Sequence, residues 1–170
     1  GIGYISRTTA QRLIGTTYYW TSFYINLDQP IDIRGLKVSV KFKAPLSGGA
    51  IEARDFTLRT GNIDSGSYAG VNLMGDSWGS SWSNIYSLGN TRQPYSSFLM
   101  NMDSWHEVAI QFDNEKMTHL KDGVVVSSQS FGSQEPIMNE VAVSFKGSAS
   151  LDWISISRDG QEIYRQDFDN

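Results

Sequence analysis

The chain has 170 residues, no cysteine, and a formal net charge of −4 from 14 cations and 18 anions. That length suits a single domain over 1–170, and a 19.0 kDa chain buries about 70% of its unfolded surface, enough core to need no disulfides. Missing cysteine excludes thiolate zinc sites and thiol nucleophiles, a sequence pI near 5.1 argues against nucleic acid, and no apolar run approaches the ~20 residues that span a bilayer.

Tyr19 to Leu27 alternates with a period of two, Phe23 and Ile25 on one side and Trp20 and Tyr24 on the other, until Gln29-Pro30 breaks the run. Leu36, Val38, Val40 and Phe42 alternate with Lys37, Ser39, Lys41 and Lys43, the cleanest strand pattern in the chain. Pro45 and Gly48-Gly49 end it. A strand around Phe56 and Leu58 closes at Gly61-Asn62, and Val71 to Met74 predicts a short one. After Trp105, Val108, Ile110 and Phe112 alternate up to a turn at Asp113-Asn114. Met117 to Val126 reads as a hairpin, with Asp122-Gly123 as its turn signal. Val141, Val143 and Phe145 form another strand, Leu151 to Ser157 runs to Asp159-Gly160, and Ile163, Tyr164 and Phe168 supply the last. Two stretches, Ser96 to Met102 and Gln134 to Glu140, have room for a helical turn each. Ten to twelve strands at regular spacing, with no long amphipathic helix, predict an all-β fold: an antiparallel β-sandwich or barrel.

One region departs from the rest. Between Gly61 and Ser104 there is no lysine, and the formal charges are Asp64, Asp76, Arg92 and Asp103 alone. Serine, glycine and asparagine fill it, punctuated by Tyr68, Trp78, Trp82, Tyr86, Tyr95 and Phe98. So long a polar stretch needs aromatic anchors to stay ordered, and it reads as short strands and long loops along one edge or face.

The string from Trp105-His-Glu-Val-Ala-Ile-Gln-Phe-Asp to Lys121-Asp-Gly-Val-Val-Val resembles the core hairpin of laminin G-like and other concanavalin A-like sandwiches. Leu151-Asp-Trp-Ile-Ser-Ile156 resembles the closing strand of laminarinase-type glycoside hydrolases, which share that fold. The resemblance implies a jelly roll of two antiparallel sheets, one of them open to a glycan. It places Trp105 and Trp153 in the core and Asp152 as a candidate ligand for a structural Ca²⁺, which needs six to eight oxygens.

The laminarinase-like enzymes also carry Glu-x-Asp-x-Glu on one strand, and no such string occurs here. Glu52 and Asp55 are spaced to opposite faces of a strand, and the remaining glutamates, Glu140 among them, are isolated. There is no Gly-x-Ser-x-Gly elbow, and His106 and His119 stand singly on the predicted hairpin, as structural residues do. The expectation is a non-catalytic chain.

Glycans are held by aromatic rings stacked on sugar faces and by polar side chains bonding hydroxyls. Trp78, Trp82, Tyr86 and Tyr95 lie in the charge-poor region, with Asn84, Arg92 and Gln93 beside them, and Trp20 and Tyr24 share one strand face. Each of these aromatics has a second reading, as the anchor of a loop to the core. The Lys37, Lys41 and Lys43 row has two readings, contact with an acidic glycan and, the more common, solvation and edge protection. Together these features predict an extracellular, monomeric carbohydrate-binding module for a polysaccharide, a neutral one such as xylan or β-glucan. It would target a covalently linked catalytic domain to substrate, and the opening Gly-Ile-Gly without Met fits a domain excised from such a protein. The other readings are a laminin G-like adhesion domain and a diverged glycoside hydrolase or lyase.

Overall fold

Strict alternation of apolar and polar residues makes strands with two unlike faces, and the only way to dry every apolar face is to press two sheets together. The computed structural model describes residues 3–5, 21–43, 54–62, 67–75, 80–86, 96–99, 104–130, 136–145 and 149–168. These contain thirteen strands: β1 (Gly3–Ile5), β2 (Thr21–Asp32), β3 (Leu36–Lys43), β4 (Arg54–Asn62), β5 (Ser67–Gly75), β6 (Ser80–Tyr86), β7 (Ser96–Leu99), β8 (His106–Phe112), β9 (Lys116–Lys121), β10 (Val124–Ser130), β11 (Ile137–Phe145), β12 (Ala149–Arg158) and β13 (Gln161–Gln166). A seven-stranded sheet runs β1-β12-β3-β8-β9-β10, with β13 also paired to β12, and a six-stranded sheet runs β2-β11-β4-β5-β6-β7. Every pair is antiparallel.

The core lies between the sheets. Leu36, Val38, Val40 and Phe42 of β3 are fully buried, and so are Val108 and Ile110 of β8 and Leu151 and Ile154 of β12. From the other sheet come Leu58, Val141 and Val143, with Ile25 at the rim. Burying each such side chain stabilises the fold by roughly 1.5–3 kcal/mol before chain entropy is counted.

Turn chemistry closes the ends. The β9–β10 and β12–β13 hairpins turn on Asp122-Gly123 and Asp159-Gly160, all four residues at φ between 49° and 83°. Such paired left-handed positions match strand twist and favour Asp-Gly. Asp122 gains further hold by accepting bonds from the Glu107 amide and from His106 Nδ1, both at 2.8 Å. Arg158 fastens the β2–β3 turn, donating to the carbonyls of Asp32 and Arg34 at 2.7 Å each. Gly35 sits in that turn at φ +84°, where a Cβ would come within 2.7 Å of the Asp159 carboxylate.

Four expectations need correction. Ser96–Leu99 and Ile137–Phe145 are strands, not helical turns, because each hydrogen-bonds along a sheet neighbour. Trp105 and Trp153 are half-buried and stand outside the core. A register shift between Leu151 and Trp153 makes Asp152 a bulge, and Trp153 pairs with Lys41 on the outer face while Leu151 and Ile154 point inward. Nor does the lysine row protect an edge: β3 lies between β12 and β8, inside its sheet. The break at Gln29-Pro30 is a ladder irregularity, with β2 continuing to Asp32 as an edge strand, where proline is tolerated.

Candidate functional site

The charge-poor region becomes one half of the six-stranded sheet. Strands β5, β6 and β7 adjoin one another there, and none of them contains a charged residue. Register then fixes which residues share the outer face. Leu58, Val141, Val143 and Ile25 take the inner positions, so their immediate neighbours in sequence take the outer ones.

Three outer rows cross the sheet. The first joins Asn26, Glu140, Gly61 and Tyr68. A second joins Tyr24, Ala142, Arg59, Gly70 and Tyr86. The third joins Ser22, Ser144, Thr57, Asn72 and Asn84. A fourth, shorter row holds Asp55, Met74, Trp82 and Ser97. Rows of one face lie about 7 Å apart along the strand. Four of the residues expected at a site, Tyr24, Trp82, Asn84 and Tyr86, therefore hold register positions in adjoining rows of this sheet. Trp20, Trp78, Arg92, Gln93 and Tyr95 lie outside the described residues.

Where side chains are described, the face is polar and partly dry. Tyr24 is 52% exposed, so it is no core anchor, and Asn26 beside it is exposed too. Ser22 and Ser144 share a hydroxyl hydrogen bond at 2.8 Å. In the middle, Glu140 is buried and pairs with Arg59 at 3.3 Å, while the Arg59 side chain keeps 38% exposure. A guanidinium held by a buried carboxylate is fixed in orientation on this face. Sequence reasoning treated Glu140 as isolated and passed over Arg59. The two are 81 residues apart, and only strand pairing brings them together.

Carboxylate spacing bears on catalysis. On this face the described strands offer Asp28, Asp55 and Glu140. Glu140 stands opposite Gly61, six residues or about 20 Å along β4 from Asp55, and opposite Asn26, two residues or about 7 Å along β2 from the exposed Asp28. Glycoside hydrolysis requires two carboxyl groups about 5–9.5 Å apart.

The other predicted groups fall elsewhere. His119 faces the interior of the seven-stranded sheet in line with Ile110, and burial pushes its imidazole down to about 4, so it is neutral at pH 7. Asp152 is half-buried at its bulge, and among the described residues no three His, Asp or Glu groups gather as a metal site. A polar hollow of about 460 Å³ lies at one end of the seven-stranded sheet, between Gly35, Gln111, Asn114 and Asp159, away from all of these residues.

No family model matches the chain, and no curated protein matches it in sequence. Solved structures do match its shape. A Bacillus licheniformis β-glucanase aligns with a TM-score of 0.53 at 11% identity, over 75% of this chain and 67% of its own. A tetrameric galectin from the ball sponge Cinachyrella sp. aligns at 0.57 and 14%, over 81% of this chain and 99% of that one. The homodimeric agglutinin CG-16 from chicken liver aligns at 0.55 and 19%, over 81% and 100%. Identities this low speak for fold alone, and that fold is the concanavalin A-like jelly-roll sandwich which glucanases and galectins share.

Proposed function

We propose that the chain is a non-catalytic carbohydrate-binding module that lays a polysaccharide across the outer face of the six-stranded sheet. One observation carries this reading: three adjoining uncharged strands align Trp82, Tyr86, Asn72 and Asn84 with Arg59 and Tyr24 in neighbouring rows. Rings of this kind offer stacking area, and amide and guanidinium groups bond hydroxyls. Lack of charge over half the face favours a neutral chain such as xylan or β-glucan. Affinity is modest, because an open face buries little of its ligand.

The likeness to glucanases keeps hydrolysis as the second reading. Against it stands the Arg59 partner that already occupies Glu140. A module of this type acts outside the cell as a monomer, joined to a catalytic domain that it holds near substrate.

Affinity electrophoresis through gels of soluble polysaccharides, with calcium or with chelator, tests the proposal alongside an assay for reducing sugar. Retardation by a neutral glycan without sugar release, lost in Trp82→Ala, is the expected result. Sugar release abolished by Glu140→Gln would establish the enzyme instead. No retardation in any neutral glycan would overturn the binding-module reading.

A further inference from the structure

The lysine row of β3 has a role that neither solvation nor edge protection supplies. It lies inside the seven-stranded sheet, where the outer positions place Lys41 between Trp153 of β12 and Glu107 of β8. Lys43 follows two residues along, its ammonium 5.0 Å from the centre of the Trp105 ring. On the far side of Trp153, the Arg165 guanidinium of β13 sits 5.1 Å from that ring's centre. Both tryptophans are half-buried, so each ring forms a firm seat for a cation that would otherwise sample many rotamers.

Charge on this face is unbalanced. Lys37, Lys41, Lys43 and Arg165 stand with the carboxylates of Glu107, Glu162 and the bulged Asp152, in a chain whose net charge is negative. Two of these carboxylates are already engaged: Glu107 lies 3.8 Å from Lys37, and Glu162 accepts from Ser155 at 2.7 Å and Arg165 at 3.3 Å. Among the described residues no carboxylate pairs with Lys41 or Lys43. A cation set in place by an aromatic ring but left without a counter-ion favours an anionic ligand, since the ordering cost of the side chain is already met.

We propose that the outer face of the seven-stranded sheet is a second binding surface, for a polysaccharide that carries carboxylate or sulfate groups. Lys41, Lys43 and Arg165 are its cations, and Trp105 and Trp153 position two of them. The surface is on the opposite side of the sandwich from the face proposed for neutral glycan, and it does not depend on that proposal. A domain with both would tie a neutral polymer to an acidic one.

Affinity electrophoresis of the intact chain in gels containing polygalacturonate, heparin or uncharged xylan tests this at low salt. Retardation by polygalacturonate identifies uronate carboxylates as the ligand group, and retardation by heparin alone identifies sulfate. Either should fade as salt is raised, because screening shortens the reach of exposed charges to about 3 Å at 1 M. The double variant Lys41→Glu/Lys43→Glu should weaken polyanion binding tenfold or more and leave xylan binding unchanged, while Trp82→Ala should do the reverse. Lys41→Gln/Lys43→Gln should weaken it less and serves as the control for folding, monitored by circular dichroism. Absence of retardation in both polyanions overturns the proposal, as does retardation that survives charge reversal or that depends on Trp82 instead.

Discussion

The two sheets are built by the same alternation, yet they bury their ionisable groups on opposite sides. The seven-stranded sheet turns His119 inward, level with Ile110 and Val38, and desolvation keeps the ring neutral. The six-stranded sheet turns Glu140 outward, where it is just as dry but meets Arg59. Their outer surfaces differ to match. One carries a lysine and an arginine seated on tryptophans, whereas the other carries, among the described residues, the Arg59–Glu140 pair beside uncharged strands. Inward burial demands neutrality, while outward burial tolerates charge if a partner is within reach.

Removing Glu140's partner should break that contrast most severely. Arg59→Ala leaves a buried carboxylate without its guanidinium, at an expected cost of roughly 3 kcal/mol in chemical denaturation. Arg59→Lys should recover part of it, and a loss under 0.5 kcal/mol for Arg59→Ala would mean that the pair is solvated.

The His119 side is probed by acid. Its folded-state value of about 4 lies below the unfolded 6.5, so the unfolded chain binds the extra proton between them. Stability tied to this ring is complete above pH 6.5 and falls as pH drops toward 4, by roughly 3 kcal/mol in all. His119→Leu should flatten that part of the stability curve. Asp32, held near 2 chiefly by its hydrogen bond to Arg34, and Asp113, lowered by the Glu115 and Lys116 amides, act in a separate window. Their contribution is present above their unfolded value and is lost only at more acid pH than the histidine step. A stability curve without a step above pH 4 would contradict the buried, neutral assignment of His119.

A smaller effect is expected where the sheets are tied together. Arg158→Ala removes two bonds to the β2–β3 turn and should cost about 2 kcal/mol, with little change in binding by either outer face. Asp122→Ala is smaller again, about 1 kcal/mol, although it frees both His106 and the Glu107 amide. Burial works to raise the Asp122 carboxyl, but those two bonds outweigh it and hold it below the usual range. Its contribution too should vanish in acid. Thermal midpoints across a pH series check both variants.

Much of this architecture could be read from local chemistry. The alternation in β3 and β8, the Asp-Gly turns, and the polar stretch that became β5, β6 and β7 each follow from residues a few positions apart. Composition likewise separated the uncharged half of one face from the lysine row of the other. Pairing across the sheets was not legible. It decided that Lys41 lies inside a sheet and that a bulge at Asp152 turns Trp153 outward, opposite Lys41 and beneath Arg165. It also brought Glu140 to Arg59. The physical reason is that side-chain direction in a strand is a local property with period two, whereas neighbours across strands depend on register, and a shift of a single residue exchanges one face for the other.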